Sequence, residues 1–252
     1  MFNVGAGFTS AQTHNAGRGL PPPVDEMGGI VKYIIVIVLV FVSGFISGCG
    51  NATSKTTAIA PTPGSAIARA ANTWNKHIVD TAVSLLRTGY IVLRRGLGAD
   101  SYMLAEMNRR NKTYSHCGIV MVEHGYPFIY HSIGGEDNPD ERLRRDSANF
   151  FFSPRHNTHL AIFRYNLDTG QLSSLKQVVT AYYQQRPRFD MKFDLATDDK
   201  LYCSEFIYKA VNNAVGDTAY ISTSMLLKRR QVGIDDLFMN SHASVVWEVK
   251  FK

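Results

Sequence analysis

Two runs rich in β-branched and aromatic residues, Tyr114 to Val122 and Tyr126 to Ser132, are separated only by Glu123-His124-Gly125. So short a connection with Gly at its end closes an antiparallel pair, because parallel strands need a crossover of a dozen or more residues. The flanking sequence extends this pair into a mixed fold. A helical spacing runs through Trp74, Ile78, Ala82, Leu85 and Leu86 within 71–87, and a strand follows over Thr88 to Arg94. Residues 98–111 are polar with a short helical centre at Tyr102 to Met107, a loop-plus-helix suited to roofing a cleft. Residues 133–147 carry charge, Gly134, Gly135 and Pro139, and read as a long surface loop. Leu160 to Tyr165 predicts another strand, and Leu172 to Gln185 a helix with Leu175, Val178, Val179 and Tyr182 on one face. Near the C-terminus Val245, Trp247, Val249 and Phe251 alternate with Val246, Glu248 and Lys250, the pattern of a half-buried strand. Helices, then strands, then helix and strand again make an α+β fold, with a central antiparallel sheet packed against helices rather than alternating βαβ units.

The first part of the chain is of another kind. Residues 1–26 are rich in Gly, Asn and Pro without hydrophobic period, and Met27 offers an alternative translation start. From Tyr33 to Ile46 runs an apolar stretch of about 14 residues, short for a membrane span and of the size of a signal-peptide core. It ends in Ile46-Ser47-Gly48-Cys49, which resembles the lipobox of bacterial lipoproteins. That resemblance implies cleavage before Cys49, lipidation of Cys49 and a domain held at a membrane facing away from the cytoplasm, at the outer membrane in a diderm cell. The expected organisation is a lead and signal peptide over 1–48, a tether of Ser, Thr, Ala, Pro and Gly over 49–70, and one domain over 71–252. The formal charge is +6. Arg18 and Lys32 against Asp25 and Glu26 cancel within 1–48, so the excess sits on the remainder. It fits an anionic envelope polymer. No dense Lys/Arg run with interleaved aromatics points to nucleic acid.

Chemistry concentrates around Lys200-Leu-Tyr-Cys-Ser-Glu-Phe-Ile-Tyr208. Cys203, Ile207, Ala210, Val211 and Ala214 fall on one helical face, Gly216 is the expected stop, and Asp198 or Asp199 the expected cap. A cysteine in a first helical turn meets the positive end of the dipole, which favours the nucleophilic thiolate. Its base is sought in Tyr114-Ser-His-Cys-Gly-Ile-Val-Met-Val-Glu123. Strand side chains alternate, so if His116 faces the active site, Cys117 faces the opposite layer as a small core residue. His131, at the end of the following strand, stands where a polar residue can orient His116, while Glu123 and Glu136 are less well placed. The acidic stretch Glu136 to Glu141 lacks the ligand alternation of a calcium loop. The three cysteines show no zinc-ligand spacing, so no metal and no cofactor are expected.

Ser115-His116-Cys117-Gly118 on a strand, His131 at the end of the next, and Tyr202-Cys203-Ser204-Glu205-Phe206 opening a helix together resemble the YiiX/YaeF-type cysteine hydrolases. These are circularly permuted relatives of the NlpC-type peptidoglycan amidases, with a papain-like fold. The permutation shows in His116 preceding Cys203. Thr88-Gly-Tyr-Ile-Val-Leu93 is similar to the family's early Gly-Asp-Ile-Val-Leu strand, with Tyr90 where Asp is frequent, and His131 stands where relatives often carry Glu. The resemblance spans about Leu86 to Val215. It implies Cys203 as nucleophile, His116 as general base and His131 as orienting residue, with a thioester intermediate. Tyr202 and Ser204 are candidates for the oxyanion or substrate site. The expected substrate is an amide bond in a cell-wall peptide. Two alternatives remain open: a lipid-directed thiol acyltransferase or esterase, and an inactive binding lipoprotein on the same fold. A Cys117–Cys203 disulfide in an oxidising compartment would remove the enzyme reading.

Overall fold

The computed structural model of the protein describes residues 63–251 except 136, 137, 139 and 227. Residues 1–48, with the expected signal peptide, lie outside the described residues, as does Cys49. So does Glu136. No helix among the described residues is long and apolar enough to cross a membrane.

Helix α1 spans Pro63–Leu85. It begins inside the stretch expected as tether, because Pro is favoured in a first turn and Ala68, Ala70 and Ala71 are strong helix formers. Strand β1, Ile91–Gly96, follows a turn at Gly89, whose φ of +86° only glycine adopts readily. Helix α2, Ala99–Glu106, precedes the hairpin of β2, His116–Glu123, and β3, Tyr126–His131. His124 and Gly125 have φ of 50° and 84°, the left-handed pair of a two-residue hairpin turn.

The stretch expected as a long loop contains a strand. β4, Arg144–Ser147, pairs antiparallel with β3, matching His131 to Arg144 and Ile129 to Asp146. Arg144, Arg145 and Asp146 hide it from any hydrophobic reading, and such charge suits a short edge strand. After α3, Ala148–Phe151, come β5, Asn157–Tyr165, and α4, Thr169–Gln185, capped by Asp168 and Gln171. Two short strands, β6 at Arg188–Phe189 and β7 at Lys200–Leu201, lead into α5, Cys203–Val215. The chain ends with β8, Ser224–Leu226, β9, Arg229–Gln231, α6, Ile234–Phe238, and β10, Ala243–Lys250.

Six strands form one antiparallel sheet in the order β10-β5-β1-β2-β3-β4. Alternation along each strand divides the core. Ile91, Leu93, Cys117, Ile119 and Met121 pack with Leu175 and Val179 of α4 and with Phe206, Ile207, Ala210 and Val211 of α5. Val92, Val120, Ile129, Leu160 and Ile162 pack on the other face with Ile78, Val79 and Ala82 of α1 and with Phe151 and Phe152. Truncating such a residue, Ile162 for instance, costs about 2–5 kcal/mol. A bulge between Val245 and Trp247 interrupts the expected C-terminal alternation, and Val245 is exposed while Trp247 and Val249 pack on the α1 side. Its position at the sheet edge is where bulges are frequent.

Candidate active site

The start of α5 is built locally. Tyr202 occupies the cap position with extended backbone. Its N–H donates to Glu205 Oε2 at 3.1 Å, which replaces the cap expected from Asp198 or Asp199. Asp198 instead pairs with Lys209 at 2.6 Å. Gly216, at φ 75°, closes the helix as its position predicts. Glu205 is fully buried, and burial drives its carboxyl up to about 7 against the opposing pull of Lys209, whose Nζ lies 2.9 Å from Oε1. Cys203 therefore sits at the N-terminus of a well-terminated 13-residue helix.

Cys117 shares the core layer of Cys203. Both thiols are free and buried between β2 and α5. The neighbouring Cys117 side chain, with the Ser204 backbone N–H, holds the Cys203 thiol below its ordinary pKa against the opposing effect of burial. Burial and the neighbouring Cys203 push the Cys117 thiol well up. The alternation expected for β2 holds, but Cys117, not His116, is the residue that faces Cys203.

His116 faces the α1 side. Its Nε2 lies 2.8 Å from His131 Nδ1, and His131 Nε2 lies 3.0 Å from Asp146 Oδ2. Both imidazoles are buried and lean on Phe151, at centroid distances of 5.7 and 5.3 Å. Gly118 permits this approach. A Cβ there would stand 2.4 Å from Ile129 Cγ2, 3.1 Å from Tyr130 O and 3.3 Å from His131 Cβ.

Asp146 sets the protons. Burial works to raise its pKa, but the hydrogen bond to His131 and the Arg144 guanidinium 2.8 Å away keep it below its ordinary value. An ionised carboxylate only accepts, so His131 Nε2–H donates to it. His131 Nδ1 then accepts from His116 Nε2–H, and His116 Nδ1 is left with its lone pair. Burial, followed by Arg94, lowers His116 well below 6.5 and keeps it neutral. Burial likewise lowers His131, against its hydrogen bond to Asp146. The structure thus brings His116 and His131 together as the sequence leads one to expect, and adds Asp146, whose only signal was an acid in a stretch that reads as loop. His116 and Cys203 are not hydrogen-bonded to each other.

Tyr202 and Ser204 meet on Val232. The Tyr202 hydroxyl accepts from the Val232 N–H at 3.0 Å, and Ser204 Oγ–H donates to the Val232 carbonyl at 2.8 Å. Ser204's hydroxyl proton is thereby committed, whereas that of Tyr202 remains to be donated. The cavity beside Cys203 is lined by Leu104, Met107, Ser115, Phe193 and Ile234 and measures about 30 Å³, room for a water-sized molecule. Its roof is the expected segment. Asn108 ties it down by accepting from Ile234 N–H at 2.8 Å, and Asp235 accepts from the N–H groups of Arg109 and Arg110. At the other side Ser132 Oγ–H donates to the Leu201 carbonyl, stitching the end of β3 to the segment entering α5.

No family model and no curated protein matches the sequence. Among solved structures, the fold is similar to the crystal structure of metalloprotein YiiX from Escherichia coli O157:H7, a DUF1105 protein. The TM-score is 0.54 at 18% identity, over 65% of this chain and 98% of that one. The chain therefore has a YiiX-like α+β fold. The neighbour's name speaks of a metal, but among the described residues no three His, Cys, Asp or Glu side chains are placed to hold one. His116 and His131 spend their facing nitrogens on each other.

Proposed function

We propose that the protein is a cysteine hydrolase with a permuted papain-like fold that cleaves an amide bond through Cys203, His116, His131 and Asp146. The observation that carries this reading is the buried chain Asp146–His131–His116, which leaves one unprotonated imidazole nitrogen, His116 Nδ1. Such a chain is the orienting half of a nucleophile–base set. The nucleophilic half is a thiol of lowered pKa at a helix N-terminus. His116 and Cys117 are consecutive on β2, and Ser132 fastens the end of β3 near Cys203, which supports treating the two halves as one site.

Reaction requires Cys203 Sγ to meet His116 Nδ1, and the Leu104–Met107 roof to lift, since a peptide does not enter about 30 Å³. Cys203 then attacks the carbonyl carbon. His116 takes the thiol proton and returns it to the departing amine, leaving a thioester on Cys203. A water, deprotonated by His116, adds to the thioester carbonyl and releases the acid and the free thiol. The Tyr202 hydroxyl proton is available to the developing oxyanion.

A cell-wall peptide is the proposed substrate, on the positive charge of the chain and the proposed lipid anchor at Cys49. The full chain incubated with peptidoglycan peptides should yield products one hydrolysis apart by mass spectrometry. Cys203→Ser should abolish them, and His116→Ala should slow them by about 10²–10⁴-fold. Cleavage by Cys203→Ser at the wild-type rate would refute the mechanism, and release of acid only from lipid esters would move the substrate to an acyl lipid. Placement at the membrane is tested separately. Cys49→Ser should move the protein from the detergent to the aqueous phase, and unchanged partition would remove the anchor.

A further inference from the structure

The sheet carries another cleft at the end away from His116, and the hydrolysis makes no use of it. β1 connects the two places. Its Arg94 pairs with His116, while Tyr90, just before the strand, lines the cleft about 13 Å away along the chain. The cleft measures about 690 Å³, within the size range of small-molecule sites. No Asp or Glu lines it. Arg164 of β5 is exposed there, and its guanidinium makes no hydrogen bond, ion pair or ring contact among the described residues. Ser244 of β10 is its partner in the sheet. The Thr88 hydroxyl accepts from the Val122 N–H at 3.0 Å, which leaves its own proton for a ligand. A free guanidinium among hydroxyls, with no carboxylate beside it, selects an anion.

Another wall is aromatic. Tyr220 and His242 stack with ring centroids 4.0 Å apart and planes 22° apart. Tyr220 sets its ring against that of Tyr165 at 5.8 Å, and Tyr165 is buried with its hydroxyl donating to the Leu237 carbonyl. Asn240 fixes the turn that carries His242. Its side-chain oxygen accepts from the His242 and Ala243 N–H groups at 2.9 and 3.1 Å, and its amide donates to the Asp236 and Leu237 carbonyls. The platform is therefore in place before a ligand arrives, which keeps the ordering cost of binding low.

We propose that this cleft binds an acidic sugar, a pyranose bearing a carboxylate or a phosphate. Arg164 takes the acid group through its paired N–H donors. Thr88 and Ser244 exchange hydrogen bonds with the ring hydroxyls, and an apolar C–H face of the ring lies on His242, out of water. A bare anion would use Arg164 and leave the aromatic wall wet. A neutral sugar would use the wall and leave the guanidinium without a counter-charge. The site does not depend on Cys203 being a nucleophile.

Isothermal titration calorimetry of the full chain at low salt tests this, with glucuronate, glucose 6-phosphate, glucose, acetate and inorganic phosphate as probes. At least one acidic sugar should bind about tenfold or more tighter than glucose and than the corresponding bare anion. Arg164→Gln should lose the preference over glucose, and Arg164→Lys, which keeps the charge without the fork, should retain part of it. Both changes are at an exposed side chain and should leave Tm within a degree or two of wild type. His242→Ala should bring the acidic sugar down toward the bare anion. Cys203→Ser should bind as wild type does. The proposal falls if neither acidic sugar outbinds acetate and inorganic phosphate, or if Arg164→Gln binds like wild type. It falls equally if Cys203→Ser abolishes binding, which would put the sugar at the hydrolytic site. Tighter binding of adenosine monophosphate than of either acidic sugar would also overturn it, because a flat base would then be the group on His242.

Discussion

Acid should destabilise this protein with a slope set by the two buried imidazoles. His116 and His131 are fully enclosed, and burial lowers both below the ordinary value of 6.5. The surrounding charges are Arg94 from β1 and Arg144 and Asp146 from β4, of which only Asp146 favours a protonated imidazole. In the unfolded chain both rings titrate near 6.5. A histidine whose folded pKa is lowered contributes stability that is complete above the unfolded pKa. That contribution is lost as pH falls from about 6.5 toward the folded value. Each proton bound by the unfolded chain and refused by the folded one costs about 1.4 kcal/mol per pH unit, so two give at most about 2.7 kcal/mol per pH unit.

Glu205 works in the opposite sense. Its folded carboxyl, raised to about 7 from 4.5, takes up a proton before the unfolded chain does. In that interval it offsets up to one of the two histidine protons. The net wild-type slope is therefore small at pH 6.5 and should approach about 1.4 kcal/mol per pH unit about one pH unit lower, with both histidines refusing protons. Urea unfolding followed by circular dichroism from pH 7.5 to 5.0 measures it directly. His116→Gln/His131→Gln removes both titrations and leaves Glu205 in place, so its stability should fall less with acid or even rise. The difference between the two slopes should approach 2.7 kcal/mol per pH unit at its largest, whatever the absolute stability of the variant. His159, also lowered by burial but partly exposed, is common to both proteins and cancels. Parallel stability curves would refute the buried, neutral relay.

Two further substitutions probe the site without removing a reacting group. Gly118→Ala places a methyl 2.4 Å from Ile129 Cγ2 and 3.1 Å from the Tyr130 carbonyl, a backbone atom that cannot turn aside. It should cost about 1–3 kcal/mol, lowering Tm by about 2–4 °C per kcal/mol, and a variant melting with wild type would show that the strands are not in this register. Cys117→Ala removes the thiol that is the largest influence holding the Cys203 thiol down. The pH profile of iodoacetamide labelling at Cys203 should therefore move to higher pH in Cys117→Ala and stay near wild type in His116→Ala. The reverse pattern would mean that Cys203 already rests on His116.

The elements legible in the sequence are those with local signals. The β2–β3 hairpin announces itself by two strands and a His-Gly turn, α5 by its apolar face and Gly216, and α4 by its stripe of Leu175 and Val179. β4 is illegible because three of its four residues are charged, on both faces, and it hides Asp146, the residue that fixes the tautomers of the relay. The cap of α5 is hidden for a related reason. The sequence points to an acid before the helix, whereas Glu205 reaches back from inside it.

The face that β2 presents is set by more distant residues. Alternation fixes that His116 and Cys117 diverge, but alternation has no absolute sign. A histidine, a glycine and a valine on one side and a cysteine, an isoleucine and a methionine on the other are both acceptable core faces. The sign comes from neighbours distant in sequence. Cys117 pairs with Leu93 and shares the apolar layer of Phe206 and Ile207, while His116 pairs with Arg94, next to Phe151 and within reach of Asp146. Burying the cysteine beneath α5 and the histidine beside a carboxylate leaves each with a partner suited to its chemistry. The opposite sign would set the imidazole under Phe206 and Ile207 and deprive it of Asp146, at a cost of about 1–3 kcal/mol for each buried polar atom left unpaired. That cost opposes turning the whole strand over. A Cys203–His116 encounter would therefore come from movement at the end of β2, where His116 is the first residue, with the register from Gly118 to Glu123 intact.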